Sequence, residues 1–194
     1  HSARSRDPLI DSTTQAALEK RGTELLGIAL MIVGFLFTLM IWSYSPEDPN
    51  WLAASDAPVQ NYLGVTGASI AAPLFLILGW GSLGIGLVTM GWGARCVLHD
   101  GLDRAFGRVI FAPIAIAIMS VYAATLVKGA TWTHSFGLGG LFGDMVVGGL
   151  VTFLPLPLRL GIILVSFIAG LAAIAMMLFV LGFVRSEIRK GVHF

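Results

Sequence analysis

The chain has 194 residues and a formal net charge of +1, and it is 56% apolar but only 12% charged. A soluble domain usually carries ~25% charged residues, and a soluble core of this size needs more charge than this to cover its surface. The deficit is concentrated: no charged side chain lies between Glu24 and Glu47, Asp56 and Arg95, Arg108 and Lys128, or Arg159 and Arg185. A membrane span needs ~20 mostly apolar residues to cross ~30 Å of hydrocarbon, so the pattern excludes a soluble globular domain.

The chain opens with His1-Ser2 rather than Met, which reads as a trimmed piece with a tag remnant. Residues 1–24 are expected to form a cytoplasmic segment. Within it, Ser12 to Gln15 match a capping box, in which a serine and a glutamine satisfy free amides at a helix start. A short helix over Ala16 to Glu24 is expected to run into the first span, Leu25 to Trp42. Further spans are expected at about Ala68 to Gly93, Val109 to Val127 and Leu160 to Val184, with 185–194 returning to the cytoplasm. Backbone groups in lipid must pair within their own segment, so the spans are helices. The fold class is all-α integral membrane, with four transmembrane helices.

Basic residues near span ends set the orientation. With both termini inside, Arg4, Arg6, Lys20, Arg21, Arg95, Arg104, Arg108, Arg185, Arg189 and Lys190 face the cytoplasm, and only Lys128 and Arg159 lie outside. Phe136 to Leu154 is a further apolar stretch, interrupted by Asp144. An unpaired aspartate at a span centre costs ~2.5–3.5 kcal/mol, and a fifth span would spoil the basic asymmetry. The stretch is expected to be a glycine-rich amphipathic or re-entrant helix on the periplasmic face before the last span.

Chemistry is sparse. His1, His99, His134 and His193 are scattered, and His134 reads as a surface residue of an outer loop. Cys96 reads as a small apolar residue, since one cysteine cannot form an internal disulfide. No metal-ligand spacing, Gly-Lys of a nucleotide loop or GxSxG elbow occurs. The spans contain no ionisable side chain, which argues against an ion path within one subunit. Small-residue pairs that permit close helix approach occur at Ser82/Gly86, Gly139/Gly143 and Ala169/Ala173.

The loop after the first span reads Ser43-Tyr44-Ser45-Pro46-Glu47-Asp48-Pro49-Asn50-Trp51, with turn-forming Ser-Pro and Asp-Pro pairs and aromatic rings suited to the headgroup boundary. Asn61, Gly64, Gly67 and Ala68 follow at Asn-x-x-Gly-x-x-Gly-Ala spacing, and Gly139, Gly140 and Gly143 form a Gly-Gly-x-x-Gly element. In these three elements, their order and their spacing, the chain resembles the N-terminal four-span domain of the FtsK/SpoIIIE family of bacterial DNA translocases. The resemblance covers about Arg21 to Lys190.

That resemblance implies a bacterial inner-membrane protein at the division septum. Its region here would anchor the protein, contact divisome proteins and help assemble a homo-oligomer. Pro46, Asp48, Pro49, Trp51, Asn61, Gly64 and Gly67 are the candidate partner-contact or loop-shaping residues. Gly139, Gly140, Gly143 and Asp144 are candidates for packing or oligomer contact. No cofactor is expected in this region: ATP, magnesium and DNA belong to a motor domain beyond Phe194. The competing function is an oligomeric membrane pore, although no polar or basic stripe lines any span.

Overall fold

The computed structural model describes residues 11–98, 107–130 and 132–182. Expectations for residues 1–10, His99, Arg104 and 183–194, with Arg185, Arg189, Lys190 and His193, lie outside the described residues. Helix α1 spans Ser12–Trp42 without a break. Asp11 occupies the N-cap position without a side-chain cap bond. The helix thus starts one residue before the box expected at Ser12, and the Gln15 side-chain amide donates to Glu19 Oε1 at 3.0 Å.

The second span, expected at Ala68 to Gly93, is built from two helices, α2 (Gly64–Leu78) and α3 (Leu83–Leu98), joined by a 3-10 turn over Gly79–Ser82. Gly79 adopts φ +55°, a left-handed conformation that L side chains strongly disfavour, and this ends α2. A 3-10 turn at Val109–Phe111 leads into α4 (Ala112–Ala124). Pro113 falls in the first turn of α4, where its missing N–H costs no helical hydrogen bond. Helix α5 spans Gly140–Phe153 and α6 spans Leu158–Val180. Gly182 at φ +78° closes α6, its N–H donating to Phe179 O at 3.0 Å. Among the described residues there is no strand, only an isolated bridge between Asn50 and Ala53.

Among the described residues, three helical stretches are long and apolar enough to cross a membrane: Thr13–Trp42, Gly64–Leu98 and Leu158–Val180. The stretch expected to cross at Val109 to Val127 stops at Ala124, because Thr125 and Leu126 fold back onto the carbonyls of Tyr122 and Ala123. Its 3-10 turn and helix together rise ~26 Å, a little under the ~30 Å core. Helix α5 rises only ~21 Å. Leu25, Leu26, Ile28, Ile32 and Phe35 of α1 and Phe167 and Leu171 of α6 are exposed, as a lipid-facing surface requires.

Helices α1 and α3 run antiparallel in close contact. A methyl placed on Gly27 would lie 2.6 Å from Gly93 O, and one on Gly34 would lie 2.8 Å from Gly86 O. Both pairs lie one heptad apart, so the two backbones meet along one seam. Cys96 is buried and packs beside Gly27. Helix α4 packs against α5 and α6, and α5 also contacts α2. One apolar cluster, Met40, Ile41, Ala71, Phe75 and Phe136, sits at the loop end of the bundle. Another, Val88, Ala112, Ala115 and Val180, sits at the opposite end. There Trp92 Nε1 donates to Val180 O at 3.0 Å and Arg108 donates to Phe179 O at 3.3 Å, tying the last carbonyls of α6 to α3 and to the turn before α4.

Candidate interaction site

The loop between α1 and α2 is organised by two buried polar side chains. Asp48 is 1% exposed and Asn61 5%. The Asp48 carboxylate accepts the N–H of Gln60 at 2.7 Å and of Asn61 at 3.0 Å, tying one end of the loop to the other. Asn61 in turn donates from Nδ2 to Met40 O at 2.8 Å and accepts from the Leu63 N–H at 3.1 Å. One side chain therefore satisfies an orphan carbonyl at the end of α1 and an orphan amide at the start of α2. Ser43 acts similarly, donating to Leu39 O and accepting from the Tyr62 N–H at 3.0 Å. Asn50 forms an Asx turn, its Oδ1 accepting from Leu52 and Ala53.

The sequence candidates divide by exposure. Asp48, Asn61 and Gly67 are buried, and a methyl on Gly67 would collide with Asn61 Oδ1. Gly64 takes φ +67° at the turn into α2, with open space around it. Pro46 is exposed and Pro49 half-buried. Trp51 is 70% exposed, and its indole N–H donates to Ser69 O at 2.7 Å. Tyr62, at 71% exposure, and Leu52 extend this outer surface, which the motif spacing did not single out.

His134, expected at the surface of an outer loop, does lie in a loop but is half-buried there. Its ring lies in an aromatic group, 4.7 Å from Trp132, 4.8 Å from Phe136 and 5.7 Å from Tyr44 between centroids. Tyr44 stacks on Phe75 at 4.4 Å, and Trp132 Nε1 donates to Phe136 O at 2.7 Å. Burial pushes the His134 pKa below its ordinary 6.5. Burial first, and the Asp48 carboxylate second, raise Tyr44 above 10. Trp132, His134 and Phe136 alternate along one segment, but Tyr44 and Phe75, far off in sequence, gave no local signal that they join this grouping.

The glycine candidates meet at the break in the second span. Trp80 N–H donates to Leu138 O at 2.8 Å, and Ser120 Oγ donates to Gly139 O at 2.6 Å. A methyl on Gly140 would lie 2.5 Å from Gly79 N, and one on Gly143 would lie 2.5 Å from Ser120 O. Gly139 is equally closed by Ser120 O. The Gly-Gly-x-x-Gly element thus wedges the start of α5 between the 3-10 turn and α4. Asp144 is half-buried on α5, and its Oδ2 accepts the Gly137 N–H at 2.5 Å, holding the entry to the helix. Gly27 and Gly34 also act as packing glycines; their heptad spacing, repeated at Gly86 and Gly93, was the signal that could have shown it.

Among the described residues, no group of three or more His, Cys, Asp or Glu side chains could hold a metal ion. Buried side-chain nitrogen and oxygen atoms there all have partners, so the Asp48 carboxylate and the Asn61 amide are engaged in structure. What the site offers is a rigid, aromatic surface on a loop between two apolar helices.

No solved structure matches the chain. The chain is 31% identical to DNA translocase FtsK of Azospirillum brasilense, over 74% of this chain and 23% of that protein. It is 29% identical to DNA translocase FtsK of Caulobacter vibrioides, over 86% of this chain and 21% of that protein. The namesake from Bradyrhizobium diazoefficiens is 30% identical over 67% of this chain and 16% of its own length. The chain thus spans about a fifth of the length of these relatives. The family model described as the 4TM region of DNA translocase FtsK/SpoIIIE matches residues 19–186, and the chain, with its long apolar helices, belongs to that family.

Proposed function

We propose that this chain is the membrane-anchoring and assembly region of a DNA translocase, acting at the division septum of the bacterial inner membrane. In this reading four helices cross the membrane, both ends face the cytoplasm, and α5 lies at or re-enters the periplasmic face. ATP, magnesium and DNA are handled by a motor domain elsewhere in the whole protein. The periplasmic loop of residues 43–63 contacts other division proteins, and the membrane domain also assembles with copies of itself.

The observation that carries the partner-contact reading is the loop's construction. Asp48 and Asn61 lock its two ends from inside, while Trp51, Leu52 and Tyr62 stay exposed outside the apolar helices. Rigid exposed aromatics are the residue types that dominate protein interfaces, because they bury much area at little entropic cost. Trp51→Ala with Tyr62→Ala should reduce septal recruitment of a fluorescent fusion at matched membrane expression. Recruitment equal to the parent, with the double variant normally inserted, would overturn the role of this loop.

A further inference from the structure

We propose that the groove between α4 and α6 is a binding site for one anionic phospholipid, its headgroup phosphate on Arg159 and an acyl chain along Tyr122, Gly170 and Ile174. The inference rests on the membrane reading of the fold and adds a defined ligand to it.

Two adjoining cavities form the groove. The outer, of about 620 Å³, has Arg159 at its mouth and is lined further along by Thr125, Ser166, Tyr122, Gly170 and Ile174. The inner, of about 400 Å³, shares those last three residues and continues past Trp80, Met119 and Met177. Gly170 keeps the floor open: a methyl there would stand 3.1 Å from the Tyr122 ring. Arg159 and Ile174 lie on the same helix, ~22 Å apart along its axis at 1.5 Å per residue. That distance covers one leaflet of a ~30 Å core and enters the next.

The charge pattern selects the occupant. Arg159 stands exposed in the first turn of α6, where the chain enters the apolar region, and it has no ion pair among the described residues. Its guanidinium is therefore open to an anion, and the planar fork suits phosphate oxygens. The groove below it holds no charged side chain. A cation at the membrane surface above an apolar track one leaflet deep matches an amphiphile with an anionic head. A partner helix, ~10 Å wide with its side chains, would leave this charge unanswered unless it brought a carboxylate.

The test is native mass spectrometry of the detergent-purified chain, titrated with phosphatidylglycerol and with phosphatidylcholine of identical acyl chains. The parent should bind phosphatidylglycerol about fivefold more tightly, the factor one basic side chain contributes at a membrane surface. Arg159→Gln should bring the two lipids level. Lys128→Gln removes the same charge from a neighbouring cleft and should keep the preference. Gly170→Leu should weaken both lipids by filling the groove; Arg159→Gln changes only an exposed side chain and carries the test if Gly170→Leu does not insert. Equal binding by the parent, an equal loss from Lys128→Gln, or chain dimers displacing lipid would each overturn the site. None of these readouts depends on septal recruitment, so failure here leaves the anchoring role standing, and the reverse.

Discussion

Removing the Asp48 carboxylate should open the loop between α1 and α2 without unfolding the helices. The carboxylate is 1% exposed and accepts two backbone N–H groups, from Gln60 and Asn61. Hydrogen bonds to a charged acceptor contribute ~1.5–3 kcal/mol each. Gln60 is exposed, so water replaces its partner in Asp48→Ala, whereas the buried Asn61 is left without one. Release of the carboxylate from its buried position offsets part of the loss. The net local cost is ~2 kcal/mol. Hydrogen exchange of the protein in lipid nanodiscs reads this directly: the Asn61 and Leu63 amides should exchange about thirtyfold faster in Asp48→Ala. Amides in the middle of α1 and α3 should be unchanged. If Asn61 exchange rises less than about threefold, under ~0.7 kcal/mol, Asp48 is not what holds the loop.

Three other outcomes follow from the packing. Burial lowers the His134 pKa, so the folded state favours the neutral ring, and stability present above pH 6.5 should be lost as pH falls through the folded value. Thermal unfolding followed by tryptophan fluorescence should show a lower midpoint at pH 5.5 than at 7.5, and His134→Phe should flatten that difference. Gly79→Ala forces a side chain onto a left-handed backbone and into Leu138 O, so it should destabilise by more than ~2 kcal/mol in denaturant titrations. Gly64→Ala, at φ +67° but in open space, should cost only ~1 kcal/mol. Gly86→Val meets Gly34 O and Thr38 Oγ1 across the α1–α3 seam and should cost ~1–3 kcal/mol, read in the same titration.

Much of the architecture was legible without coordinates. Runs of apolar residues free of charge placed α1 and α6, and the lone Asp144 marked Phe136 to Leu154 as unlike the rest; its helix rises only ~21 Å. The three motif elements identified the family. Less legible was the role of each motif residue, because spacing does not distinguish a side chain turned inward from one turned outward. Asp48 and Trp51 sit in one turn, yet one is buried and the other 70% exposed. That the loop residue His134 is half-buried among rings was not legible, because two of those rings, Tyr44 and Phe75, come from distant parts of the chain.

Hydropathy is a sum over neighbouring residues, and crossing a membrane is decided by that sum, so the sequence by itself determined that this is a multi-helix membrane chain and where most of its helices lie. Tertiary structure alone decided that the second span breaks at Gly79, that α4 stops at Ala124, and that Gly139, Gly140 and Gly143 pack inside the chain. Those outcomes depend on contacts between backbones far apart in sequence, such as Gly79 with Gly140 and Ser120 with Gly139. In lipid, where apolar surface gains little from hiding, such close steric fits and buried hydrogen bonds choose the arrangement.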